Sequence, residues 1–216
     1  NLGHMLSGVT IEDPNNTYIG PDVKIGQDTI IAPGTTILGN SVIGIANEIG
    51  PNTYLKNMKI GNNNTIIFSH LVDSEICNNI KIGPFARMRQ NALVKDGSRI
   101  GNFVELKNTT FHEGVKAGHL AYMGDAELGA HTNVGAGAIT ANYDGVNKSK
   151  TIIGKNVFVG SNTTLVAPLN VGEGSYLAAA SIINRDVPKD SLAIARSHQE
   201  NKEGYAIKIR EKQQKK

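Results

Sequence analysis

His119 stands in Lys116-Ala-Gly-His-Leu-Ala-Tyr122, an imidazole among small side chains with a tyrosine three residues on. A group that titrates near neutrality and is open to a reactant suits general-base chemistry. Glu105 lies fourteen residues earlier, in Asn102-Phe-Val-Glu-Leu-Lys107. That separation approaches one coil of the repeat described below, so Glu105 is expected one layer beneath His119, orienting its ring as a triad acid does. Arg89, Lys107 and Lys148 are cations at or near irregular positions. Singly, each reads as solvated surface. Converged, they would hold a phosphate dianion. His112, His119 and His131 raise a metal site, but spacings of seven and twelve do not fit a three-histidine site, and no metal is expected. Gly135-Ala-Gly137 lacks the strand–helix unit of a dinucleotide loop. Cys77 reads as a small packing residue.

The elements that must position these groups follow from an internal period. Aliphatic residues recur at six-residue steps: Ile19, Ile25, Ile31, Ile37, Ile43, Ile49, Leu55. After several five-residue steps the period returns at Ile82, Met88, Val94, Ile100 and Leu106, and a last run goes from Ile153 to Ile183. Gly often follows the aliphatic residue, and a small or β-branched residue sits four places on, as in Thr29, Thr35, Ser41 and Thr53. A period of six is not helical, and a sandwich would alternate by twos. Three units close a triangular coil of about 18 residues, with one short strand per side. The aliphatic and small residues point inward, and Gly or Asn turns the corners. Roughly 28 units make about nine coils, 40–45 Å long at about 4.8 Å per layer. The fold class is all-β, a parallel β-helix with a C-terminal arm. Its left hand comes from the resemblance of such hexapeptide repeats to the left-handed class.

Chemistry is expected where the period slips, near Leu106, Ala117 and Thr140. Residues 1–10 read as the end of an interdomain linker and 11–187 as the β-helix. Polar, turn-rich 140–152 reads as a projecting loop, and 188–216 as a charged arm with some helical tendency. Aromatics make up only 5% of the 216 residues and Trp is absent, which fits thin strands better than a core of large fillers. A net charge of +3 is too small to suggest nucleic acid. No run reaches the roughly 18 apolar residues of a membrane span, and no secretory signal is evident. One cysteine gives no disulfide framework, so a cytoplasmic location is expected.

The motifs at the breaks carry a resemblance. Gly83-Pro-Phe-Ala-Arg-Met-Arg89, Gly101-Asn-Phe-Val-Glu-Leu-Lys107, Lys116-Ala-Gly-His119, Gly124-Asp-Ala126, Asn142-Tyr-Asp-Gly145, Leu165-Val-Ala-Pro168, Ala193-Ile-Ala-Arg196 and Asn201-Lys-Glu-Gly-Tyr205 occur in this order. From about His4 onward the chain resembles the C-terminal half of the bacterial bifunctional enzymes that are both glucosamine-1-phosphate acetyltransferase and N-acetylglucosamine-1-phosphate uridyltransferase. The resemblance implies acetyl transfer from acetyl-CoA, as substrate, to the amine of glucosamine 1-phosphate, toward UDP-N-acetylglucosamine and cell-wall precursors. It implies His119 as general base supported by Glu105 and Asn142. It puts Arg89, Lys107 and Lys148 on the sugar phosphate and Tyr122, Asn133 and Tyr143 in the sugar pocket. Ala136, Ser161, Ala179, Arg196 and Lys202 would line the acetyl-CoA site, with the Ala136 N–H on the oxyanion. It also implies a homotrimer with sites between subunits and an arm reaching a neighbour.

Two departures stand out. Ala141 occupies a position where the family often has Cys, and the uridyltransferase half, with its glycine-rich loop and Mg²⁺-binding acids, is missing. The chain is therefore expected to be a domain of a longer protein. Two other readings remain open: a hexapeptide acyltransferase with another acceptor, and a non-enzymatic β-helix scaffold with a flat Thr face.

Overall fold

The computed structural model describes residues 1–214. Its strands are two to four residues long and form three parallel sheets of eleven, ten and nine strands. Every third strand pairs with the next, so the sheets are the three sides of a left-handed β-helix. Side one runs from Thr10–Ile11 to Leu192–Ala193, side two from Tyr18–Ile19 to Ile182–Ile183, and side three from Lys24–Ile25 to Leu169–Val171.

The inward aliphatic residues form unbroken files. On side one Ile31, Ile49, Ile66, Ile82, Ile100, Ala117, Val134, Val159 and Leu177 pair in successive layers. Nearly all are fully buried, and each large member contributes about 1.5–3 kcal/mol by leaving water. The expected inward small residues, including Thr29, Thr35, Ser41, Thr53, Ser175 and Ser181, are buried as well. Most of their hydroxyls are satisfied by backbone carbonyls at the corners: Thr29 donates to Gly44 O (3.0 Å) and Ser175 to Pro188 O (2.8 Å).

The first strand, Thr10–Ile11, pairs with Ile30–Ile31, and the solenoid runs past the expected end at 187: Leu192–Ala193 adds a strand by pairing with Tyr176–Leu177. With eleven strands on side one, the stack is about 48 Å at about 4.8 Å per layer. The end units escaped the period because a wide first turn separates Ile11 from Ile31 and because the last inward residue, Ala193, is small. The residues before the solenoid hold a short exposed helix, Leu2–Leu6. The arm ends in the exposed helix Tyr205–Gln214, and the last two residues of 188–216 lie outside the described residues.

The projecting loop is shorter than 140–152. Thr140 and Thr151 are buried inward residues of the strands Ile139–Ala141 and Thr151–Ile153, leaving 142–150 outside. An antiparallel bridge between Tyr143 and Lys148 closes this loop. The Asp144 carboxylate tightens its tip by accepting the N–H groups of Val146 (2.8 Å) and Asn147 (2.6 Å).

Candidate active site

His119 ends the strand Lys116–His119 at the corner between sides one and two, where its imidazole is exposed. Its partner in register is Asn102, and His119 Nδ1 lies 2.6 Å from Asn102 Oδ1. The two layers approach closely just before this pair: a Cβ on Gly101 would lie 1.8 Å from Gly118 O, so only glycine fits there. This corrects the expected Glu105–His119 contact. Glu105 lies past the corner, on side two, where Arg89 Nε (2.8 Å) and Nη2 (2.7 Å) both engage Oε1 and Arg87 lies 3.8 Å from Oε2. Asn102 was missed because one-coil separation from His119, seventeen residues, was not read as strand register.

The same corner carries a line of small residues above His119. Register along the strands sets Ala136 over His119. Ala136 O then accepts Asn162 N (2.8 Å) and Ser161 O accepts Ala180 N (2.8 Å), so Ala136, Ser161 and Ala179 occupy consecutive layers. Arg196 Nη1 donates to Ala179 O (3.0 Å) at the far end. Gly135 N and Gly137 N are bonded within the solenoid (2.8 and 3.0 Å), whereas Ala136 N has no protein acceptor among the described residues. Lys202 is not part of this line. It lies on the arm and pairs with Glu200 (3.7 Å).

Side two is the floor next to His119. Arg87, Glu105 and Tyr122 pair in one outward file, and Arg89, Lys107 and Gly124 in the next. The Tyr122 ring lies along its own strand, its hydroxyl 2.3 Å from where a Gly124 Cβ would sit, so Gly124 is required for that pose. At the opposite corner Asp125 sits at φ 48°, a conformation that Asn and Asp tolerate. Its carboxylate gathers Lys107 Nζ (3.4 Å), Asn108 Nδ2 (2.7 Å) and Asn142 Nδ2. Burial works against ionisation of Asp125, but the Asn108 and Asn142 hydrogen bonds and the Lys107 charge outweigh it and hold the carboxyl below its ordinary value. Lys148, on the loop, has its pKa lowered chiefly by Lys107 at hydrogen-bond range, with Arg89 adding and Asp125 opposing. Three cations thus face two carboxylates, Glu105 on Arg89 and Asp125 on Lys107, which leaves one positive charge in excess. The adjoining cleft, about 330 Å³, is lined by Asn108, Asp125, Lys148 and Lys150 among others. A second cleft of about 350 Å³ continues down that corner, but its cation, Lys59, is already paired with Glu75 (3.9 Å).

Within one chain, then, Arg89, Lys107, Asn142 and Lys148 come together, with Glu105 and Tyr122 beside them. Tyr143 is exposed on the loop, its hydroxyl turned to Gly145 O. Asn133 is not on this floor; it faces outward from side one, between Lys116 and Phe158. Asp125 went unsignalled as a hub, although Asp after Gly124 at a corner position was a visible cue. The three histidines stay apart: His112 Nε2 contacts Glu127 (3.1 Å) and His131 packs beside Gly114. Among the described residues no group of three His, Cys, Asp or Glu side chains could hold a metal ion, and no helix is long and apolar enough to cross a membrane.

The coiled register defines a fold class: a left-handed parallel β-helix built of hexapeptide repeats. The chain is similar to proteins described as bifunctional protein GlmU. It is 52% identical over 206 residues to the one from Geobacillus sp. (strain WCH70), covering 95% of this chain and 45% of the relative. It is 50% identical over 208 residues to that of Staphylococcus haemolyticus (strain JCSC1435), covering 96% and 46%. The chain therefore spans about half the length of the curated relatives it matches. No family model matches. Among solved structures, a Francisella novicida UDP-N-acetylglucosamine acyltransferase aligns with a TM-score of 0.46 at 18% identity, over 86% of this chain and 67% of that one.

Proposed function

We propose that the chain transfers the acetyl group of acetyl-CoA to the amine of glucosamine 1-phosphate, giving N-acetylglucosamine 1-phosphate. In this reading it serves UDP-N-acetylglucosamine synthesis in the cytoplasm, within a longer protein that also carries a uridyltransferase part. The observation that carries it is the layout of side two. An exposed imidazole stands at one edge and the Arg89, Lys107 and Lys148 cluster at the other, with Glu105 and Tyr122 between. The width is about 10 Å, three residues at about 3.3 Å each. An amino sugar phosphate, with amine and phosphate at opposite ends, suits that span.

The chemistry then follows from the chain's own groups. The amine nitrogen attacks the thioester carbonyl carbon while His119 Nε2 takes its proton. The free N–H of Ala136, one layer above, receives the oxyanion. The C–S bond breaks and the imidazolium returns the proton to the departing CoA sulfur. The small side chains of Ala136, Ser161 and Ala179 let a thin pantetheine arm lie against backbone, and Arg196 is the cation toward its far end. Arg89, Lys107 and Lys148 neutralise the sugar phosphate, and Asn142 is held at their edge by Asp125.

The active form in this reading is a homotrimer with sites between subunits. It is supported by a ridge at the His119 corner, where Phe68, Phe85, Phe103 and Leu120 take positive φ (45°, 60°, 56° and 50°). They are 38–60% exposed, and the Phe85 and Phe103 rings stack at 5.4 Å. Bulky apolar residues in strained, solvent-facing positions call for cover by another copy.

Release of CoA thiol from acetyl-CoA tests the activity. The reading expects release with glucosamine 1-phosphate and much less with glucosamine. Equal rates with a neutral amine or an alcohol acceptor would assign another substrate class, and no release with any acceptor would leave the scaffold reading.

A further inference from the structure

We infer that Asn102 is the positioning residue of His119: its side-chain oxygen fixes the imidazole in the tautomer protonated at Nδ1, leaving Nε2 free to accept a proton. The inference rests on the proposed role of His119, but its structural part stands independently. Asn102 and His119 are Cα partners in adjacent layers. An amide oxygen only accepts, so the 2.6 Å contact places the proton on Nδ1, which donates to Asn102 Oδ1. Three features hold the pair in place. Leu120 N donates to Asn102 O (2.9 Å), tying the two corners together. The Gly101–Gly118 approach leaves no side chain to separate the layers. Glu105, the acid that would compete for the ring, is taken by Arg89 on the neighbouring side.

The consequence is chemical. In an Asp–His arrangement the acid both orients the ring and stabilises the imidazolium by charge. A neutral amide orients without adding charge, so the proton taken from the amine is bound less firmly and is more readily passed to the leaving thiolate. The ring cannot rotate to expose the wrong nitrogen without losing this hydrogen bond.

The test is nitrogen NMR of the wild-type chain labelled in histidine, at a pH where His119 is neutral, with His119→Gln used to assign its signals. The expected result is a pyrrole-like Nδ1 and a pyridine-like Nε2. The reverse pattern, in which the amide NH₂ donates to a bare Nδ1, overturns the inference even if the enzyme is active. An inactive wild type with the expected tautomer would instead count against the acetyltransferase reading alone. Kinetics supply a second measurement. Asn102→Leu should lower kcat by about ten- to a hundredfold, short of the 10²–10⁴-fold of losing a general base, with KM for acetyl-CoA changed less than about twofold. Asn102→Asp, which keeps an accepting oxygen, should keep the tautomer and restore most of kcat. Asn102→Leu with unchanged kcat and tautomer would sink the proposal.

Discussion

Asp125→Asn is the perturbation whose outcome the structure constrains most tightly. The carboxylate accepts from Lys107, Asn108 and Asn142, and it faces a cluster that also holds Arg89 and Lys148. The Lys107 and Asp125 side chains are only 8% and 13% exposed, so their pair is little screened. A hydrogen bond to a charged group is worth about 1.5–3 kcal/mol, and a neutral one about 0.5–1.5. The variant loses the Lys107 contact and weakens the two asparagine contacts. Part of the Lys107 loss is discounted because that contact is long, leaving about 2 kcal/mol. For a chain of this length, that lowers the melting temperature by about 4–8 °C. The loss should be selective in one further respect. Without this carboxylate only Glu105, on Arg89, offsets the three cations, so inorganic phosphate should raise the melting temperature of Asp125→Asn more than that of wild type. Thermal melts with and without phosphate, at matched ionic strength, read both effects. A variant as stable as wild type, or one whose deficit phosphate does not narrow, would refute the reasoning. The pH dependence has a defined sign. A carboxyl held below its ordinary value stabilises the fold above 3.8, and the contribution is lost as pH falls through the lowered value. The deficit of the variant should therefore be full near neutrality and fade in strong acid.

Other outcomes follow from the same geometry. His119→Ala should cut acetyl transfer by about 10²–10⁴-fold with little change in melting temperature, because the ring is exposed; unchanged activity would remove it as the base. Lys107→Ala should raise KM for glucosamine 1-phosphate far more than KM for acetyl-CoA, a split that steady-state kinetics reads directly. Leu106→Ala, within the fully buried file of side two, should cost about 2–5 kcal/mol by denaturant titration, as cavities in close-packed cores do. By light scattering the wild-type chain should have the mass of the proposed trimer and Phe85→Ser with Phe103→Ser that of a monomer; a monomeric wild type would refute the trimer, and an unchanged mass in the variant would refute this ridge as its contact.

Much of the scaffold was legible because six-residue steps with inward Ile, Val and Thr have no helical or sandwich equivalent. What escaped the period was set by small residues and wide turns: Ala193 hides a strand that its hydrogen bonds reveal, and Ile11 lies twenty residues below its partner. The candidate site was legible as residue types, less so as contacts. Arg89, Lys107 and Lys148 do converge, whereas Glu105 and His119 do not, because a corner between Asn102 and Glu105 turns them onto different sides. A separation of fourteen residues approximates a coil but is not the register. Seventeen is, and it selects Asn102. The role of Asp125 follows the same register: Asn108 and Asn142 stand seventeen residues before and after it, one coil to either side, and both reach its carboxylate.

The central claim is that one side of the solenoid holds the whole acceptor, amine to imidazole and phosphate to cations. A crystal structure with glucosamine 1-phosphate bound tests it directly. The account predicts the amine within hydrogen-bond reach of His119 Nε2 and the phosphate among Arg89, Lys107 and Lys148. A phosphate bound away from those three, or an amine pointing away from His119, would contradict it.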